Sequence, residues 1–403
     1  MKQMLALKRA FFNLIVILLI IPGCGGNKQS TDDIIMVDIT KTPSSKKELI
    51  LQDFMDVEYI PLETNDEFIN QGYIRDIGEH LILVTNRGVY DGNIFVYDRT
   101  GKALRKIKRK GQGGEEYTCI TDIILDEDNN EMYVHCHYTK KFMVYDLFGN
   151  FKRSFQYKEN TNGMLYSDIN NYDKNNLICF DEYNKKRAFV LISKQDGSIT
   201  KKIEIPVKET KIAMKFLINK EENSVISVGP TPYHTIIPFN GNKLLLELSS
   251  DTIYALSPNH DLRPFIVRTP SVQSMNPEIM LVLRLLSNRY YFMETFKNVY
   301  DFEKGEGFPQ TFFMYDNREK DFFEYRVYNG DYSVKKEIYM NILRPVDYEN
   351  ELWQRLEAYQ LVESYKKGEL KGKLKEIAAT LDEDSNPVIM LVKHKDAQNV
   401  SSY

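Results

Sequence analysis

The stretch Phe142-Met-Val-Tyr-Asp-Leu-Phe-Gly-Asn-Phe-Lys-Arg-Ser-Phe155 decides the fold. Each half is a short aromatic and β-branched run. Between them, Asp146-Leu-Phe-Gly149-Asn150 supplies the turn-formers and the positive-φ residue that a hairpin needs. Phe95-Val-Tyr-Asp-Arg-Thr-Gly101-Lys-Ala-Leu104 writes the same hairpin one period earlier, and Phe189-Val-Leu-Ile-Ser-Lys-Gln-Asp-Gly197-Ser-Ile199 one period later. Gly101, Gly149 and Gly197 are spaced 48 and 48 residues apart. Looser copies stand at Thr252–Asp261 and Phe312–Asp321. A hairpin repeated at this interval is the signature of propeller blades. The expected fold is all-β, a six-bladed β-propeller with a helical insertion before the last strand.

Working outward, the N-terminus carries Lys2, Lys8 and Arg9, then an apolar run from Phe11 to Ile21 broken only by Asn13. Eleven helical residues rise about 16 Å, roughly half a bilayer core, which suits a secretory signal and not a membrane span. The run ends in Ile21-Pro-Gly-Cys24, which resembles the lipobox of bacterial lipoproteins. That resemblance implies cleavage before Cys24 and a lipid on it. Residues 1–23 are then the signal peptide and 24–33 a lipidated tether, leaving 34–403 as a single propeller. Without residues 1–23, Lys+Arg fall from 53 to 50 against 57 Asp+Glu, a net charge of −7 that gives no attraction to nucleic acid. Cys119, Cys136 and Cys179 are an odd set in strand-like surroundings. They read as buried small hydrophobes with no disulfide framework.

Blade one runs from Tyr73 to the hairpin at Gly101, blade two from Ile120 to Tyr157, blade three over 166–206 and blade four over 233–268. Val207 to Gly229 reads as an insertion or extended loop. Ile279-Met-Leu-Val-Leu-Arg-Leu-Leu286 reads as a short helix laid on the ring, with blade five starting near Tyr290. Leu352, Leu356, Tyr359, Leu361 and Val362 fall at helical spacing and mark the insertion, about 349–381. The last strand, Pro387–Val392, has no hairpin partner after it. A ring solves this by lending it the N-terminal strand near Val57–Leu62, where Pro61 calls for an outer position.

The order of a blade hairpin, a basic outer strand, a glycine-rich turn with Glu-Tyr and an Ile-x-Asp-Ile strand resembles the six-bladed propeller lipoproteins of Bacteroidota. Glu58-Tyr-Ile-Pro-Leu-Glu63 and Asn386-Pro-Val-Ile-Met-Leu391 are similar to that family's first and last strands. This chain has Gly113-Gly-Glu-Glu-Tyr117 where that family usually has Gly-Pro-Gly-Glu-Tyr. The resemblance implies a propeller lipid-anchored in the bacterial cell envelope and no assigned chemistry. Surface-exported lipoproteins of that group carry acids directly after the cysteine, whereas Gly25-Gly-Asn-Lys28 follows Cys24 here, so the expected place is the outer membrane facing the periplasm, with the cell surface as the alternative.

Candidate ligand-binding residues lie in this same loop: Gly111, Gly113, Gly114, Glu115, Glu116 and Tyr117. The glycines let N–H groups converge on an anion, and the acids and tyrosine offer charged hydrogen bonds and a stacking face. Glycine shaping a tight inter-blade connection explains the same residues without a ligand. His135 and His137 share one face of a strand, but no third metal ligand stands at a supporting spacing. No metal, no cofactor and no catalytic residue is assigned. There is no Gly-x-Ser-x-Gly elbow and no His-Glu-x-x-His helix. The expected function is therefore binding of a peptide, glycan or partner protein. The alternative is a hydrolase or lyase whose catalytic groups come from several blades. Buried titratable groups gathered at one mouth of the ring would favour the alternative, and exposed aromatics would favour binding.

Overall fold

The computed structural model describes residues 34–43, 45–156, 166–181, 188–219, 223–346 and 351–395. The segments expected to be signal peptide and tether, with Cys24 between them, lie outside the described residues. The chain divides into Met1–Ile35 and Met36–Tyr403, and the second unit is the propeller.

The repeated hairpin explains its own glycine. In blade two, Lys141–Asp146 and Phe151–Gln156 are joined by a turn in which Asp146 Oδ1 accepts the N–H groups of Phe148 (2.9 Å) and Asn150 (2.8 Å). Gly149 there has φ +88°, and a Cβ on it would stand 2.9 Å from Ile107 of the preceding blade's outer strand. Gly197 meets Phe155 in the same way, and Gly101 meets the carbonyl of Pro61. The period thus records two demands at once, a left-handed turn and close seating on the blade before.

Blade one is Tyr73–Ile77, Leu81–Thr85, Asn93–Asp98 and Ala103–Lys108, in that order from axis to rim. Blade two is Asp122–Asp126, Glu131–Cys136, Lys141–Asp146 and Phe151–Gln156, and blade three is Tyr166–Asn171, Asn176–Asp181, Ala188–Ser193 and Ile199–Glu204. Blade four is Ile236–Phe239, Asn242–Leu245, Thr252–Leu256 and Leu262–Thr269. Middle strands are buried on both faces, whereas outer strands such as Ala103–Lys108 alternate half-buried or buried positions with exposed ones. The core consists of apolar layers between consecutive blades, for example Val96 and Ile107 of blade one against Met132, Val134 and Tyr145 of blade two.

Ile279–Leu286 is the innermost strand of blade five and not a helix. It pairs with Tyr290–Lys297, followed outward by Gln310–Asp316 and Asp321–Tyr328. Its eight apolar or buried residues lack alternation because both faces are covered, and periodicity alone cannot separate such a strand from a buried helix. The reading of Leu352 and Leu356 as helical is corrected likewise. Leu352–Leu356 is a strand, and the helices are Ala358–Lys366 and Gly372–Ala378, parted at Gly368 with φ +70°. Cys119 and Cys136 form a disulfide, contrary to the reading of both as free hydrophobes, while Cys179 is free and buried.

The sixth blade uses both ends of the propeller sequence. From axis to rim it is Arg344–Pro345, Leu352–Leu356, Val388–His394 and Met55–Pro61. The last pair is antiparallel in unbroken register from Met55↔His394 to Pro61↔Val388, with Pro61 on the outer strand. Asn386 latches the join: its Oδ1 accepts Asn70 N–H at 2.9 Å and its Nδ2 donates to Glu63 O at 2.8 Å. The N-terminal segment also straps the neighbouring blades. Ile39 N–H donates to Thr269 O on blade four at 2.9 Å, and Lys46–Ile50 adds a parallel strand outside Asp321–Tyr328 of blade five.

Closure yields an expected outcome. Leu391 is fully buried between blades, so Leu391→Ala should cost about 2–5 kcal/mol in a denaturant melt. Deleting residues 385–403 should give an aggregating, protease-sensitive chain. A deletion product that melts like the full chain would contradict the closure.

Candidate functional site

The innermost strands start at one mouth of the ring and end at the other. At the first mouth, Tyr73–Ile77, Asp122–Asp126, Tyr166–Asn171, Ile236–Phe239 and Arg344–Pro345 enclose an axial pocket of about 250 Å³. Its polar wall is Tyr73, Arg75, Asp122, Asp168, His234 and Arg344, with Trp353 of the closing blade among its apolar lining.

Arg75 is fixed before any ligand arrives. Its Nε donates to Thr85 Oγ1 and its Nη1 to the Thr121 carbonyl, both at 2.8 Å, and its guanidinium lies 4.5 Å from the Tyr73 ring centre. Arg344 approaches the Tyr73 and Trp353 rings at 5.7 Å each. Burial works to raise the Tyr73 hydroxyl, but Arg344 and Arg75 outweigh it and the pKa falls below the ordinary value. One side of the pocket is therefore strongly cationic.

The other side is acidic. Asp168 sits at φ +50° within a bulge between Ser167 and Asn170, a conformation that Asp tolerates better than most residues and that re-aims its side chain. Oδ2 accepts Thr235 Oγ1–H at 3.0 Å and Ile236 N–H at 3.2 Å, and also the Thr235 N–H, so blade three grips the first strand of blade four. Oδ1 stands 3.3 Å from His234 Nδ1. Burial alone would raise the Asp168 carboxyl, yet His234 and Thr235 together hold it below the usual value. Asp122 lacks such donors, its carboxylate accepting the N–H of Ile123 at 2.9 Å. Burial pushes it up to about 7, Asp168 adds to the push, and Arg75 and His234 oppose it. Two neighbouring carboxyls are thus driven apart in proton affinity, the arrangement that lets one hold a proton while the other is charged.

Surrounding features hold these groups in place. The Cys119–Cys136 bridge, with Cα atoms 5.4 Å apart, pins the segment leading into Thr121 and Asp122 to the end of the blade's second strand. Closing a loop across a separation of 17 residues is worth about 3 kcal/mol in the chain-entropy account. Arg284 of blade five donates to the Pro232 carbonyl and to Glu294 Oε1, both at 2.6 Å, which fixes the turn before His234. At the other mouth the charges serve the scaffold. Lys194 Nζ meets Asp126 Oδ2 at 2.7 Å, and Glu127 accepts the N–H groups of Glu79 (2.6 Å) and Leu81 (2.9 Å) from the neighbouring blade.

The loop expected from sequence to bind a ligand lies outward of this pocket. Glu116 Oε2 accepts Gly113 N–H at 2.8 Å, and Glu116 N–H donates to the Gly113 carbonyl at 3.1 Å, closing the turn. The Glu115 carbonyl receives Tyr145 Oη–H at 2.8 Å. Tyr117 is buried, and its hydroxyl donates to the Gly92 carbonyl at 2.8 Å. Gly111, Gly113 and Gly114 belong to the connection between blades one and two, with Gly111 N–H donating to the Tyr117 carbonyl at 3.1 Å. None of these residues lines the axial pocket. His135 and His137 have separate surroundings: His135 is buried and stacked on Phe142 at 4.6 Å, with its pKa pushed down to about 3 by burial, while His137 lies past the strand against Tyr138 at 3.9 Å. Among the described residues, no group of three or more His, Cys, Asp or Glu is arranged to hold a metal ion.

The architecture defines the class, a six-bladed β-propeller with a charged axial pocket. The chain belongs to the family described as Domain of unknown function (DUF4934), which matches residues 34–393. It is similar in fold to a candidate exported protein of Bacteroides fragilis, at 15% identity and a TM-score of 0.56 over 90% of this chain and 100% of that one. Another similar structure is a DUF4221 family member from Bacteroides vulgatus, at 10% identity and a TM-score of 0.47 over 85% and 98% of the two chains. A virginiamycin B lyase from Staphylococcus aureus aligns at 10% identity and a TM-score of 0.36 over 84% and 99%. No curated protein sequence matches the chain.

Asp122 supplies a pH test. Below pH about 4 the folded and unfolded chains both hold its proton. Between about 4 and about 7 the unfolded chain releases it first, so this group's contribution to stability falls as pH rises. Asp122→Asn should remove that falling limb from a plot of stability against pH. A carboxyl carbon signal for Asp122 titrating near 4 would contradict the assignment.

Proposed function

We propose that the protein is a lipid-anchored propeller of the bacterial envelope whose axial pocket captures one anionic, hydroxyl- or amide-bearing residue of a glycan or peptide. The observation that carries this reading is the convergence of Arg75 and Arg344 on the Tyr73 ring, opposite Asp122 and the Asp168–His234 pair. The arginines suit a carboxylate, and the acidic side suits the donors that a sugar or peptide carries on its other edge. A volume of about 250 Å³ matches a single residue, so a longer chain would project from the mouth. Export through the N-terminal signal and lipidation at Cys24 put this pocket outside the cytoplasm, and the Cys119–Cys136 disulfide suits an oxidising compartment.

A second reading is supported by the raised Asp122. A protonated carboxyl beside a His–Asp pair is a general acid next to a candidate base, which is the equipment for cleaving the bound residue. The titratable groups gathered at this mouth speak for that alternative more than the sequence did.

Calorimetric titration with galacturonate and with N-acetylaspartate separates sugar from peptide chemistry, with neutral galactose as the control. Binding of one acid and not of galactose is expected, and Arg75→Ala should weaken it at least about tenfold, the loss of one charge-assisted contact. Equal binding by Arg75→Ala, or binding of neither acid, would overturn the reading. Cleavage of a longer acidic chain that stops in Asp122→Asn while binding persists would select the enzyme.

A further inference from the structure

The connection between blades three and four carries an element that the ring does not need. After Ile199–Glu204 the chain runs along blades four and five. Lys211 N–H donates to Ser249 Oγ at 2.8 Å, Gln273 Nε2 to the Glu209 carbonyl at 2.9 Å and Asn298 Nδ2 to the Ile212 carbonyl at 3.1 Å. It then forms a hairpin, Lys215–Asn219 with Ser224–Val228, which is a two-stranded sheet on its own. Phe216, Leu217, Ile218, Val225 and Ile226 are between 43% and 64% exposed. The register puts Leu217 opposite Ile226 on one face, and Phe216, Ile218 and Val225 on the other. A ribbon so apolar on both faces is costly in water, and isolated hairpins are marginal without a covering surface.

We infer that this hairpin is a second contact with the bilayer, seating its apolar side chains in the interfacial layer of the membrane that holds the lipid. The argument for a lipid occupant is reach. Ile39 is bonded to Thr269 on the outer strand of blade four, and the base of the hairpin is bonded to Ser249 of that same blade. Twelve steps along the chain lead from Cys24 to Met36, and an extended chain covers at most about 3.6 Å per step, or about 43 Å in all. An acylated Cys24 therefore keeps blade four, and the hairpin rooted on it, close to a lipid surface. Two apolar faces suit a medium that can surround a ribbon, whereas a folded partner covers one face. Strands of five residues extend about 17 Å, and of the four residues joining them three, Lys220, Glu221 and Glu222, are charged in sequence. That length and composition fit an element lying in the interface, and not a span.

The reach argument rests on the lipid-anchored reading, so the anchor is tested separately, by incorporation of labelled palmitate into wild type and its loss in Cys24→Ser. Absence of label in wild type removes the anchor and, with it, the argument for lipid. The hairpin itself is tested on the mature chain carrying Cys24→Ser, so that no acyl chain contributes. This protein is floated with phosphatidylcholine vesicles, with and without phosphatidylglycerol, beside the triple variant Phe216→Ser, Ile218→Ser, Val225→Ser. Co-flotation is expected, with the triple variant losing vesicle partition at least about tenfold at an unchanged melting temperature. No flotation, or equal flotation of both proteins, would overturn the inference. Self-association that the triple variant abolishes, without flotation, would overturn it in favour of a second copy of the chain.

Discussion

The pairing of Met55–Pro61 with Val388–His394 is the contact on which the rest depends. A blade is stable only between two neighbours, because its buried faces are shared layers and not a core of its own. Five blades strung in sequence would leave two apolar flanks open, and the sixth can cover both only if the chain ends supply its strands together. The N-terminal segment goes further. It binds the outer edges of blades four, five and six in succession, so that closure does not rest on a single seam.

Closure also makes the axial pocket. Asp76, Asp122 and Asp168 stand on the innermost strands of three consecutive blades, yet they do different work because their donors differ. Asp76 Oδ2 accepts the Leu125 N–H at 2.8 Å and ties blade one to blade two. Asp168 makes the equivalent tie to blade four and also faces His234. Asp122 accepts the N–H of Ile123 on its own strand and keeps its proton to about neutral pH. The same repeat position therefore yields two braces and one carboxyl poised to exchange a proton, and the arginines from blades one and six complete the charge pattern. That pattern could form only with blade six in place, since Arg344 and Trp353 are its contribution.

Much of the ring was legible in the sequence because its turn glycines obey geometry. Positive φ and close approach to the preceding blade leave little choice at Gly101, Gly149 and Gly197. Ile279–Leu286 was misread because a strand buried on both faces loses the alternation that marks strands. The disulfide was missed because it depends on register: Thr121 pairs with His135, which brings Cys119 beside Cys136, and an odd cysteine count gives no hint of that. The pocket was missed because its residues come from five blades and form no local motif. One signal was present: the dipeptide Asp-Ile at 76–77, 122–123 and 168–169, two intervals of 46 residues that mark the axial strands as the glycines mark the outer turns. The loop Gly111–Tyr117 drew attention because its composition is unusual, but its hydrogen bonds close the turn through Glu116 and Gly113 and seat it on blades one and two through Tyr117 and Glu115.

Hydrogen–deuterium exchange of peptides spanning 388–394 and 55–61 tests the central claim most directly, because it reads the closing pair in the intact protein. The account predicts that the amides of Val388–Val392, paired on both sides, exchange as slowly as those of the third strand of blade one, Asn93–Asp98, and that both sets open together as denaturant is raised. Rapid exchange of 388–394 while 93–98 stays protected would contradict a ring closed by its two ends.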